Sequence, residues 1–145
     1  MRIAVGCDPN AQSVKLRLEE ALAEKGHEIV DMGSDDPIYA NTAIRVAEYV
    51  AAGRAERGIL LCGTGLGMSI AANKVKGAYA ALIADAYSAE RAIKSNNSNI
   101  ACVGAFTTGF KLMETLIDTW LNSQYEEGTS SAPKVARYVE YDMSR

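Results

Sequence analysis

Gly58-Ile59-Leu60-Leu61-Cys62-Gly63-Thr64-Gly65-Leu66-Gly67-Met68-Ser69-Ile70-Ala71-Ala72 reads as a strand, a tight loop and a helix in direct succession. Gly58–Leu61 is short, apolar and uninterrupted, as a parallel strand covered on both faces must be. Gly63, Gly65 and Gly67 free the backbone for conformations that a Cβ resists. A helix then begins near Gly65 and runs to about Lys74.

The same unit recurs on either side. Further apolar runs lie at Ile3–Val5, Glu28–Val30, Ala80–Ile83 and Ile100–Val103. Helical patterns separate them. Val14, Leu18, Ala21 and Leu22 share a face that ends at Lys25-Gly26, where Gly marks a helix C-terminus. A second helix follows Pro37, a fourth covers roughly Ala86 to Lys94, and Leu112, Leu116, Ile117, Trp120 and Leu121 stripe a fifth. Alternating β and α segments predict an α/β fold: a doubly wound, five-stranded parallel sheet in a Rossmann-like three-layer α/β/α sandwich. The flavodoxin-like strand order 2-1-3-4-5 is expected, with ligands at the switch between strands 1 and 3. The loops there are Gly6-Cys7-Asp8-Pro9-Asn10 and Cys62–Gly67. This domain is expected over 1–125. The polar stretch Gln124–Ser131 reads as a linker, and 126–145 adds a closing helix near Pro133, expected to pack on a neighbouring subunit.

A chain of 145 residues with 48% hydrophobic and 23% charged residues suits one globular domain. A formal charge of −3 gives no basic surface for nucleic acid. No apolar run approaches a membrane span, and the chain opens on a strand without a signal-peptide pattern. Cys7, Cys62 and Cys102 cannot all pair and lack CxxC spacing. Free thiols in a reducing cytoplasm are expected. With His27 as the one histidine, no metal centre built on His and no cofactor are expected.

The loop after the third strand carries chemistry. Amides at a helix start have no partners within the helix and favour an anion. A thiol beside them could alternate between base and acid. Aldose–ketose isomerisation needs those two things: one group to move a proton between adjacent carbons, and donors for the enediolate oxygen. Cys62 would be the base, with the amides of Gly63, Gly65, Leu66 and Gly67 and the Thr64 hydroxyl stabilising the oxyanion. Spacing alone leaves a plain packing role for Cys62 open. Asp8 either caps the next helix or binds ligand. Cys7 and Cys102 read as packing residues.

The sequence resembles the type B ribose-5-phosphate isomerases and the related galactose-6-phosphate isomerase subunits. The resemblance rests on Arg2–Asp8, on Gly58 through Lys74, on Tyr87-Ser88-Ala89, on Asn96–Asn99, and on Trp120-Leu121 with Tyr125-Glu126. It implies the doubly wound fold and homodimers or homotetramers that share active sites, with a phosphosugar substrate and no metal. It also implies that Cys62 is the proton-transfer base and that the Gly63–Gly67 amides bind the enediolate. Thr64 would assist ring opening or proton relay, Asp8 would bind sugar hydroxyls, and Asn96 would contact the reacting oxygens.

Several positions depart from the family pattern. Pro9 replaces a histidine after the first-loop Asp, and Ser95 replaces the ring-opening histidine. Phe106 stands near the place of a phosphate-binding arginine, Thr129-Ser130 near that of an Arg-His pair, and Asp36 at that of a tyrosine. Lys134 or Arg137 would replace a lost phosphate cation by reaching a neighbouring subunit's site. A substrate that is already open-chain needs no ring opening, and a tetrose 4-phosphate cannot close to a furanose because O4 is esterified. A tetrose 4-phosphate, or another non-ribose phosphosugar without a strong ring form, is therefore the expected substrate. The alternatives are a ribose 5-phosphate or galactose 6-phosphate isomerase, or a non-catalytic partner subunit of a hetero-oligomer.

Overall fold

The structure is a computed structural model that describes residues 1–145. Five parallel strands form one sheet: β1 (Arg2–Cys7), β2 (Glu28–Asp31), β3 (Arg57–Cys62), β4 (Ala80–Leu82) and β5 (Ile100–Gly104). Six helices accompany them: α1 (Gln12–Glu24), α2 (Tyr39–Ala51), α3 (Leu66–Ala72), α4 (Ala86–Lys94), α5 (Phe110–Leu121) and α6 (Ala132–Ser144). The three-layer sandwich follows from the burial pattern. Ile59 and Leu61 join Ile3, Val5, Ala101 and Val103 against α1, α4 and α5. Leu60 and Cys62 join Ala4, Ile100 and Cys102 against α2 and α3. Alternate residues of each strand thus serve opposite layers. Each fully buried Leu or Ile contributes roughly 1.5–3 kcal/mol.

The strand order is β2-β1-β3-β5-β4, so the expected 2-1-3-4-5 is corrected at its last two positions. The reason is burial. All five residues of β5 are buried, whereas β4 has only three residues, with Leu82 exposed and none fully buried. A strand covered on every side belongs inside the sheet and the short one at its edge. The reversal of order between β1 and β3 is retained, and Asp8 N–H donates to Leu61 O across it at 2.9 Å.

The third helix is shorter than expected, ending at Ala72 with Asn73 as its C-cap. After the polar linker, α6 carries Pro133 in its first turn. This helix docks on its own chain. Asp142 accepts from Gly77 N–H at 2.8 Å and from the Tyr79 hydroxyl at 3.0 Å, while the Tyr138 hydroxyl donates to Asn96 O.

Candidate active site

Cys62 closes β3 on the face covered by α2 and α3, and is 6% exposed. Three residues on, Gly65 adopts φ +81° and turns its N–H back onto Cys62 Sγ at 3.1 Å. That glycine has two reasons to be one. Its backbone lies in the left-handed region, and a Cβ would stand 2.6 Å from Leu82 Cδ1 and 3.1 Å from the Val103 carbonyl carbon. The amide gives the sulfur a donor suited to a negative charge. Leu66 N–H donates to Thr64 Oγ1 at 3.3 Å. The amides of Gly67 and Met68, in the first turn of α3, donate to no acceptor in the chain.

The neighbouring strand holds the loop down. Ala105 N–H donates to Cys62 O at 2.8 Å and Phe106 N–H to Gly63 O at 3.0 Å. A Cβ on Gly104 would stand 2.2 Å from Thr107 Oγ1 and 2.9 Å from Gly63 O. The Phe106 ring, 72% exposed, lies on Gly63, where a Cβ would be 2.8 Å from Cδ2. An aromatic side chain thus stands beside the Cys62 loop.

Asp8 sits in the adjacent loop and caps the turn at Pro9–Ala11, its Oδ1 accepting from Asn10 N–H at 2.8 Å. Capping is the role visible within the chain, and the switch-point location is as expected. Cys7 and Cys102 are fully buried. Burial pushes the Cys7 thiol up to about 12 and raises that of Cys102 as well, so both stay neutral and pack, as expected of them.

The remaining candidates are not brought to this loop. Asn96 lies in the turn between α4 and β5, at the opposite end of the sheet from Cys62. Its neighbour Ser95 accepts from Arg91 at 3.1 Å. Lys134 and Arg137 are exposed on α6, and Arg137 pairs with Glu140 at 3.4 Å. A cleft of about 540 Å³ between β4, α4 and α6 has Asn96, Tyr138, Asp142 and Leu82 among its walls. Leu82 is also the side chain behind Gly65, so cleft and loop share a wall. The spacing of apolar residues gave no sign of this cleft, because it depends on the swapped edge strand and on where α6 docks.

Known proteins carry the same pattern. The family profile described as "Ribose/Galactose Isomerase" matches residues 3–138. A protein of Listeria innocua named "Ribose-5-P isomerase B" is 46% identical over 99% of this chain and 98% of its own length. One of Pectobacterium atrosepticum named "D-erythrulose-4-phosphate isomerase" is 42% identical over 98% of this chain and 95% of its own. The solved ribose-5-phosphate isomerase B of Clostridium thermocellum superimposes with a TM-score of 0.93 at 35% identity, covering 99% of both chains. The chain belongs to the ribose/galactose isomerase family. It is an enzyme, a sugar-phosphate isomerase of the aldose–ketose type.

Proposed function

We propose that Cys62 is the base of this isomerisation and that the substrate is a short, open-chain phosphosugar, with a tetrose 4-phosphate as the best fit. The observation that carries the reading is the Gly65 amide held on Cys62 Sγ at 3.1 Å, beside the unpartnered amides of Gly67 and Met68. Cys62 Sγ, acting as the base, takes the proton from the carbon next to the carbonyl. The electron pair moves into the new carbon–carbon double bond, and the carbonyl oxygen becomes the enediolate oxygen facing the amides. The thiol then returns the proton to the neighbouring carbon, and the aldose has become a ketose. Thr64, two residues on in the same loop, is assigned the accompanying proton transfer between oxygens.

The tetrose reading is supported by Pro9 and Ser95, which offer no ring-opening imidazole, and by the apolar Phe106 beside the loop. The name of the Pectobacterium relative points the same way. Ribose 5-phosphate is the second reading, favoured by the name of the Listeria relative. The deciding experiment is turnover of erythrulose 4-phosphate, ribose 5-phosphate and galactose 6-phosphate by the purified chain. Fast ribose 5-phosphate turnover with none on the tetrose would overturn the substrate reading.

A homodimer or homotetramer with shared sites is part of the proposal. Leu66, Ile70 and Phe106 are 53%, 64% and 72% exposed around the loop, an apolar rim that a second copy would cover. Asn96, Lys134 and Arg137 of that copy would then supply the polar and cationic contacts that this chain's own loop lacks.

A further inference from the structure

Gly67 is a glycine for a reason that its backbone does not explain. It is not among the residues with positive φ, yet a Cβ on it would stand 2.1 Å from Tyr39 Oη and 2.4 Å from Tyr39 Cζ. The phenol of Tyr39, the first residue of α2, therefore lies directly against the loop that follows Cys62. Both α2 and Cys62 belong to the same side of the sheet.

The position of Tyr39 is fixed from below. Asp36 accepts from Ile38 N–H at 2.8 Å and from Asn41 Nδ2 at 3.2 Å, and pairs with Arg45 at 3.5 Å. Arg45 in turn donates to Thr42 Oγ1 at 3.1 Å. Thr42 is fully buried, with Cγ2 filling the space beside Gly6. The turn into α2 is thus braced against β1. The hydroxyl at its tip is not engaged: Tyr79 and Tyr138 donate to Asp142 and to Asn96 O, whereas the Tyr39 hydroxyl bonds nothing in the chain. The side chain is 38% exposed, open to a bound molecule.

We infer that Tyr39 is a catalytic residue of the isomerisation, its hydroxyl donating to the substrate oxygen that becomes negative in the enediolate. This rests on the proposed role of the Cys62 loop. The amides approach that oxygen from the loop, and the phenol approaches it from α2. The hydrogen bond that the phenol donates strengthens as charge builds on the oxygen. Gly67 leaves the space in which the phenol stands.

The test compares the wild type with Tyr39→Phe, Tyr39→Leu and Cys62→Ser, reading kcat, KM and solvent deuterium incorporation on a sugar phosphate that the wild type turns over. Tyr39→Phe is expected to lower kcat roughly 10–100-fold with KM changed less than about threefold. Tyr39→Leu should lose as much. Thermal unfolding of Tyr39→Phe should match the wild type. Tyr39→Phe with wild-type kcat overturns the inference, whether or not Tyr39→Leu is impaired, because the hydroxyl would then contribute nothing. A rise in KM alone also overturns it. Exchange that survives in Cys62→Ser would instead defeat the base assignment, which separates the two failures.

Discussion

Asn96 and Cys62 stand at opposite ends of one strand pair. Gly58 pairs with Ile100 and Cys62 with Gly104, and Asn96 lies before Ile100. Four residues of extended chain separate the two ends, about 13 Å. Residues so placed in one chain meet at one substrate only if Asn96 comes from another copy. Cys62→Ser and Asn96→Ala, each inactive alone, should then complement when unfolded together and refolded. In a two-fold dimer each mixed pair holds one intact site, so an equal mixture recovers about a quarter of wild-type activity. No recovery, with mixed dimers demonstrated by mass spectrometry, would contradict shared sites.

Gly65 tests the loop itself. Alanine there meets both an unfavourable φ and the Leu82 and Val103 contacts. The expected cost is roughly 2–4 kcal/mol of stability, with loss of activity. Gly109→Ala is the control, since Gly109 has φ −62° and nothing within 4 Å of a new Cβ. As the N-cap of α5, where glycine is preferred to alanine, it should lose no more than about 1 kcal/mol in a urea titration.

Asp142 makes the docking of α6 dependent on pH. Burial disfavours its charged form. The Gly77 amide, Arg145 and the Tyr79 hydroxyl outweigh that burial and hold its carboxyl below the ordinary 3.8. A lowered folded value means stability that is present above the unfolded value and lost as pH falls through the folded one. Asp142→Ala should therefore cost roughly 1–3 kcal/mol at neutral pH. The gap in Tm between variant and wild type should close below about pH 4. Hydrogen exchange should place the loss in α6.

Much of this molecule was legible from residue order. Short apolar runs and the C-terminal Gly26 located the strands and the first helix, and the three glycines after Cys62 located the loop at the switch point. The order of the last two strands was not legible. Ala80–Ile83 and Ile100–Val103 are equally apolar as strings, and only the packing shows that β5 is covered all round while β4 is not. Tyr39 was missed for a related reason. It lies far from Gly67 in sequence, so the contact that gives both residues their meaning exists only after α2 and α3 pack together. Asp8 could be placed but not assigned, because capping and ligand binding call for the same carboxylate at the same strand end.

The assignment of Cys62 is tested most directly by solvent deuterium incorporation next to the carbonyl of a sugar phosphate that the wild type turns over. Cys62→Ser nearly keeps the size and the buried position of the side chain while removing the thiol. Exchange is expected to fall to background with thermal unfolding unchanged. Exchange in Cys62→Ser at the wild-type rate would show that another group moves the proton.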